Sequence, residues 1–217
     1  MKDLGHLRYF LGLGDCSSRA GLSYFTAEIH IWYYWRCCTY RYKYRKYSTR
    51  ASFEAPLSDG TPLADPLRYR QLVGIIYLCL TRSDIVHAVS IVCQFVSAPH
   101  SARYSALQIL KYLRGIITRS LFMSSISSLK LWAYFNVDWA GCPYTRRSTT
   151  GFYLFLGESL ISWRSKKQDV VSCFSCEAEF RAMATTTREI VYVRRLLADF
   201  GVFLIHLTPF LVIIKVL

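Results

Sequence analysis

The chain has 217 residues, enough for one or two domains with a real core, and 53% of them are hydrophobic, which excludes wholesale disorder. Lysine and arginine outnumber the acids 27 to 14, a net charge of +13 that favours anionic partners, nucleic acid ahead of a membrane surface. The eight cysteines form no paired framework and the opening Met1-Lys2-Asp3-Leu4-Gly5 is no signal peptide, so free thiols and an intracellular setting are expected.

Taken in order, Leu7 to Leu13 reads as one buried strand with Gly5 and Gly14 as punctuation. From Tyr24 to Arg50, basic residues alternate with tyrosines, a pattern that suits single-stranded nucleic acid and equally a solvated basic loop. Ser58-Asp59-Gly60-Thr61-Pro62 is a turn signal and a boundary. Asp65 and Pro66 then open a helix as N-cap and first residue, running to about Leu80. A second helix starts near Ser83 with Ile85, Val86, Val89, Val92, Cys93 and Val96 on one face and Pro99 beyond its end. A third spans about Ser101 to Arg114, with Ala106, Leu107, Leu110 and Leu113 inward and Gly115 as stop. Such helices with short links pack as a small bundle. His87 and His100 read as structural.

Beyond the polar linker Ser124 to Ser128, strict alternation predicts a strand. Leu129, Leu131, Ala133, Phe135 and Val137 share one face; Lys130, Trp132, Tyr134, Asn136 and Asp138 share the other. Asn136 and Asp138 can begin a magnesium site at the strand's end, or serve there as turn formers. Thr149–Leu156 and Ser159–Ser165 form a hairpin around Gly157-Glu158-Ser159. A long helix is predicted from Ser175 to Phe200, with Gly201 as its left-handed cap and Phe180, Met183, Thr187, Ile190, Val193 and Leu197 as its buried stripe. Cys173-Phe174-Ser175-Cys176 has metal-ligand spacing, but no second pair completes a zinc site. Phe200 to Leu217 is apolar and about the shortest length that spans a bilayer; His206, Pro209 and Lys215 weaken that reading, and Arg194-Arg195 would flank it, leaving a membrane partner disfavoured.

Several linked motifs give the chain a family resemblance. Met1-Lys2-Asp3-Leu4-Gly5 and Leu7-Arg8-Tyr9-Phe10-Leu11-Gly12 resemble the late reverse-transcriptase segment of copia-type retrotransposon Pol polyproteins, plant ones especially. Asp59-Gly60-Thr61-Pro62-Leu63-Ala64-Asp65-Pro66, Tyr69-Arg70-Gln71-Leu72-Val73-Gly74, Thr81-Arg82-Ser83-Asp84-Ile85 and Ile109-Leu110-Lys111-Tyr112-Leu113-Arg114-Gly115 resemble the connecting region. Asp138-Trp139-Ala140-Gly141, Arg146-Arg147-Ser148-Thr149, Ile161-Ser162-Trp163, Ser165-Lys166-Lys167-Gln168 and Glu177-Ala178-Glu179 resemble the ribonuclease H domain. The resemblance implies an α+β fold: a reverse-transcriptase remnant with a divergent basic segment over 1–56, a helical connection region over 57–128, and a truncated ribonuclease H-like domain over 129–217 with a three-stranded sheet and one long helix.

It also implies an activity and its ligands. The family's ribonuclease H cuts the RNA strand of an RNA–DNA hybrid, with four carboxylates holding two Mg²⁺ ions. The first acid aligns with Asn136, the second with Asp138, and the helix acid with Glu179, Glu177 being the alternative; Asp138 and Glu179 would be metal ligands. Arg146, Arg147, Lys166 and Lys167 would contact nucleic acid, and no small-molecule cofactor is implied. Asn136, Asp138 and Glu179 are expected to converge at one edge of the sheet.

The departures carry an expectation of inactivity. Asn136 is a neutral amide where the family has Asp, and no Cys-Asp-Asn motif follows the long helix, so the third acid is missing and the fourth with it. No Tyr-x-Asp-Asp polymerase motif is present. Leu211 to Val216 can be encoded so that a shifted reading gives Cys-Asp-Asn-Gln-Ser, and a shift within Tyr24 to Trp35 can restore Gln-Gln-Lys-Tyr. The gene thus reads as a decayed element with frameshifts, and residues 24–56 are expected to lack a packed domain.

Overall fold

The structure, a computed structural model, describes residues 9–10, 13–18, 21–26, 74–94, 102–116 and 121–212, the first three stretches by backbone alone. The chain divides into two units, Met1–Phe122 and Met123–Leu217.

In the first unit β1 (Tyr9–Phe10), β2 (Leu13–Ser18) and β3 (Gly21–Thr26) pair antiparallel in sequence order; the short strand β4 (Leu121–Ser124) lies across the division between the units. The expected single strand over Leu7–Leu13 is thus two, with Phe10 opposite Leu13 and Gly14 inside β2. An apolar run interrupted by glycine can reverse as readily as continue. Apart from Tyr24–Thr26 in β3, the basic aromatic segment lies outside the described residues.

The start of the first expected helix also lies outside them, and its end, Gly74–Leu80, is a 3-10 helix rather than an α-helix. Gly74 and the β-branched pair Ile75-Ile76 are poor α-formers, which suits the tighter turn. A 3-10 turn, Ser83–Ile85, leads into α1 (Val86–Cys93), and α2 spans Ala102–Gly115. Their core is Leu78, Ile85, Ala88, Val89, Val92, Ile109 and Leu113. Ile109 and Ala88 thus join the inward face beyond the residues that periodicity assigned to it, whereas Val86 is only half-buried. Arg82 is buried beside this core with its guanidinium forked onto Asp84: Nε to Oδ1 at 2.9 Å and Nη2 to Oδ2 at 2.6 Å. Tyr112 Oη donates to the same carboxylate at 2.8 Å, and Arg82 Nη1 donates to the Ile116 carbonyl at 3.2 Å. Burial pushes the Asp84 pKa up, but the Arg82 and Tyr112 hydrogen bonds outweigh it and hold the carboxyl below its ordinary value. Thr-Arg-Ser-Asp-Ile is therefore a scaffold motif, in which the buried Arg82 finds its counter-charge at the more exposed Asp84.

In the second unit β5 (Leu131–Asp138) pairs antiparallel with β6 (Thr149–Leu156), and β6 with β7 (Ser159–Lys167). The hairpin loop is Gly157-Glu158, with φ +59° at Gly157; only glycine takes that value cheaply at the first position of such a turn. Any Cβ there would also strike Ser127 Oγ and the Ser128 carbonyl. After the hairpin, α3 (Ser175–Asp199) crosses one face of the sheet. Its C-terminus closes as expected on Gly201, φ +80°, with Val202 N–H donating to the Leu197 carbonyl at 2.8 Å and Gly201 N–H to Ala198 at 2.9 Å. That pair of bonds is the Schellman arrangement.

The sheet has four strands, not three. The segment with the length of a short membrane span turns back and adds β8 (Phe210–Val212), parallel to β5, giving the order β7-β6-β5-β8. Pro209 cannot donate within a helix and the β-branched, apolar residues that follow suit a strand beside a buried neighbour. Phe210 packs on Phe135, ring centroids 5.7 Å apart. Among the described residues no helix is long and apolar enough to cross a membrane.

Helix α3 rests on the face of Leu131, Ala133, Phe135 and Val137, the face that alternation assigned to the interior. Phe135 and Leu154 are wholly buried, each contributing roughly 1.5–3 kcal/mol of apolar burial. The helix stripe differs from the expected one: Ala178, Ala182, Thr186, Ile190 and Val193 are buried, while Phe180 and Thr187 are exposed. Alanines let the helix backbone approach the sheet more closely than Phe180 would, and Thr186 Oγ1 satisfies itself on the Ala182 carbonyl at 2.8 Å.

Candidate functional site

The end of β5 carries the residues that the sequence singled out. Asn136 is half-buried opposite Gly151, and its Oδ1 accepts from the Val137 N–H at 2.7 Å. Asp138, opposite Thr149, is exposed, and its carboxylate lies over Gly141, where any Cβ would overlap it. A side chain at 141 would therefore displace the Asp138 carboxylate. Both side chains belong to the polar face of β5, whereas α3 covers the other face.

On α3 the two acids separate. At ~100° per residue, Glu179 stands about 60° from Ala182 and about 20° from Thr186, flanking the buried stripe, while Glu177 is turned about 140° and about 180° from them. Glu177 is engaged locally. Its Oε1 accepts from Arg181 Nε at 3.1 Å and Nη2 at 2.9 Å, and its Oε2 from the Cys173 N–H at 2.9 Å. Arg181 first, then the Cys173 N–H, hold its carboxyl below the ordinary value. This is a helix-capping role for a residue in the first turn. Glu179 is exposed. Asn136 and Asp138 thus stand on β5, and Glu179 stands on α3 beside the stripe that faces the sheet. Among the described residues no group of three His, Cys, Asp or Glu side chains stands close enough to hold a metal ion. The residues present do not fit a two-magnesium centre.

The cationic candidates fall in two places. Arg146 and Arg147 are exposed in the loop after β5, where Arg146 has φ +51° and its N–H donates to the Cys142 carbonyl at 2.8 Å. Lys167 Nζ lies 2.9 Å from Cys142 Sγ. Partial burial raises the Cys142 pKa, but the hydrogen bonds from Lys167 and then Thr145 outweigh it and bring the thiol down to about 6. Lys166 lines a cleft of about 200 Å³ against α3, together with Lys167, Arg164, Arg181 and Arg188. Those three arginines carry no signal in the sequence, because none stands in a motif and β7 and α3 unite them only on folding. Gln168, the last residue of Ser165-Lys166-Lys167-Gln168, is a tie: its Nε2 donates to Thr150 Oγ1 at 3.1 Å and to the Ala178 carbonyl at 2.9 Å, while its Oε1 accepts from Ser172 Oγ at 3.3 Å.

Fold and site together define an α+β protein in which a mixed four-stranded sheet, crossed by one long helix, presents mainly cationic groups. The chain is 37% identical over 211 residues to the uncharacterized mitochondrial protein AtMg00810 of Arabidopsis thaliana, covering 88% of this chain and 80% of that protein. It is 41% and 40% identical to the retrovirus-related Pol polyproteins from transposons RE1 and RE2 of the same plant, over 67% and 69% of this chain. It spans only 10% of the length of each of those polyproteins. No family model and no solved structure matches it. The chain belongs to the family of copia-type retrotransposon Pol polyproteins.

Proposed function

We propose that the chain is a ribonuclease H-like segment of such a polyprotein that engages nucleic acid and does not cleave it. The observation that carries the reading is Asn136. It stands at the first-acid position of the family pattern, offers a neutral oxygen, and gives that oxygen to the adjacent Val137 N–H. Three further features support it. The element order, three antiparallel strands, a long helix and a strand returning parallel beside the first, suits a ribonuclease H-like core. Glu179 rather than Glu177 flanks the stripe that faces the sheet, as the helix acid of the family pattern would. The returning strand and its neighbours, residues 202–217, contain no acid. Without a cluster of negative oxygen ligands no pair of cations is held at the spacing that hydrolysis needs. The membrane-anchor alternative is not favoured, because the apolar segment supplies β8 to the sheet.

The test is Mg²⁺-dependent cleavage of an RNA–DNA hybrid by three purified proteins: the chain itself, Asn136→Asp, and Asn136→Asp with the segment after Ile205 replaced by the family's acid-bearing sequence. The first two are expected to stay at background and the third to gain activity. Cleavage by the unaltered chain that disappears in Glu179→Gln contradicts the reading.

A further inference from the structure

The cleft between β7 and α3 has a charge distribution that the fold alone does not explain. Its strand wall carries Arg164 and Lys166, two residues apart and so on one face; its helix wall carries Arg181, Thr185 and Arg188, at the spacing of one helix face. Asp169 is the one acid in the lining, 3.7 Å from Lys166 with both groups exposed. Arg181 is committed to Glu177. Among the described residues neither the Arg164 nor the Arg188 side chain has an ion-pair or hydrogen-bond partner. Two guanidiniums without a partner among the described residues, beside two lysines and a third guanidinium, make a concentration of positive charge that favours an anion.

We propose that this cleft holds the phosphodiester backbone of a nucleic acid strand. The helix wall from Arg181 to Arg188 is ~10.5 Å long at 1.5 Å per residue, and the strand wall from Arg164 to Lys166 about 7 Å. A run of ~10 Å is long enough to meet more than one phosphate of a strand. Arginine suits the role because its planar fork meets two phosphate oxygens at once. No aromatic ring lines the cleft, and the Gln168 amide that could address a base is already spent on Thr150 and Ala178. The contact is therefore to the backbone and independent of sequence. The cleft adds Arg164, Arg181 and Arg188 to the cationic residues recognised from the motifs, and Lys166 and Lys167 both line it. The assignment rests on nucleic acid being the partner class, but not on the absence of cleavage.

The experiment is fluorescence anisotropy on the full chain with two labelled probes, a 12-nucleotide DNA strand and the same strand annealed to RNA, titrated from 50 to 200 mM salt (conditions on the order of those that expose counterion release). Arg164→Gln/Arg188→Gln is compared with Lys130→Gln/Arg195→Gln, which removes two exposed charges elsewhere; circular dichroism confirms that both variants fold. The cleft variant is expected to flatten the slope of log K against log salt by about 1.4 for the single strand and about 1.8 for the hybrid, and the control by much less. A larger loss with one probe identifies which form of strand the cleft takes. Equal losses in the two variants mean diffuse charge and overturn the cleft while leaving the partner class intact. No binding of either probe by the unaltered chain overturns both.

Discussion

Lys167 and Cys142 form a contact in which position decides chemistry. Cys142 is held down to about 6, whereas burial first, and then Cys93 and Asp84, push Cys79 up to about 12. A thiol reacts as its thiolate, which predominates above the pKa. At neutral pH Cys142 is thus expected to be alkylated by iodoacetamide well before Cys79, with a rate that reaches half its plateau near pH 6. Lys167→Met removes the ammonium and is expected to move that midpoint up towards the ordinary thiol value. Peptide-level mass spectrometry reads both; an unchanged midpoint in the variant contradicts the contact. By its motif Lys167 is equally a nucleic-acid ligand, yet its ammonium is 2.9 Å from Cys142 Sγ, which shows how little a motif says about the partner a side chain finds.

Among the elements, β8 is the most exposed to a single change. Three residues of strand cannot hold themselves to β5, and Arg194 does much of the fastening. From α3 it donates to the His206 carbonyl at 2.9 Å, to Thr208 Oγ1 at 3.1 Å and to the Leu204 carbonyl at 2.6 Å, fixing the path into the strand. Arg194→Met keeps the aliphatic stem and removes the donors. A loss of about 1.5–3 kcal/mol is expected, the usual range for hydrogen bonds to a charged group. Thermal unfolding measures it, and amide exchange should show the Ala133 N–H, bonded to the Pro209 carbonyl at 3.2 Å, opening sooner than the β5–β6 ladder. Unchanged exchange at Ala133 would mean that β8 is held by Phe210 packing alone. From sequence, β8 cannot be told from a buried helix or a short membrane span, because a continuous apolar run has no period. Strand β5, the β6–β7 hairpin and the Gly201 cap are legible there, since each has a period or a residue that only one conformation tolerates. The helix stripe misleads for the opposite reason: Phe180 is a loud hydrophobic signal, while Ala178 and Ala182 are quiet ones that matter through their smallness.

For the molecule as a whole, a net charge of +13 by itself points to anionic partners, and the β7–α3 cleft gives part of that charge a place. The acids are another matter. Motif order identifies Asn136, Asp138 and Glu179, but not their disposition across a sheet, since faces are set when a helix packs on one of them. A nucleic-acid-binding segment without hydrolysis requires that Asp138 and Glu179 do not share a cation. Isothermal titration of the full chain with Mg²⁺ decides the point, beside Asp138→Asn and Glu179→Gln. Only weak, superimposable heats are expected from all three proteins. A saturable event tighter than millimolar in the unaltered chain, abolished by either substitution, would place both carboxylates on one ion and contradict the account.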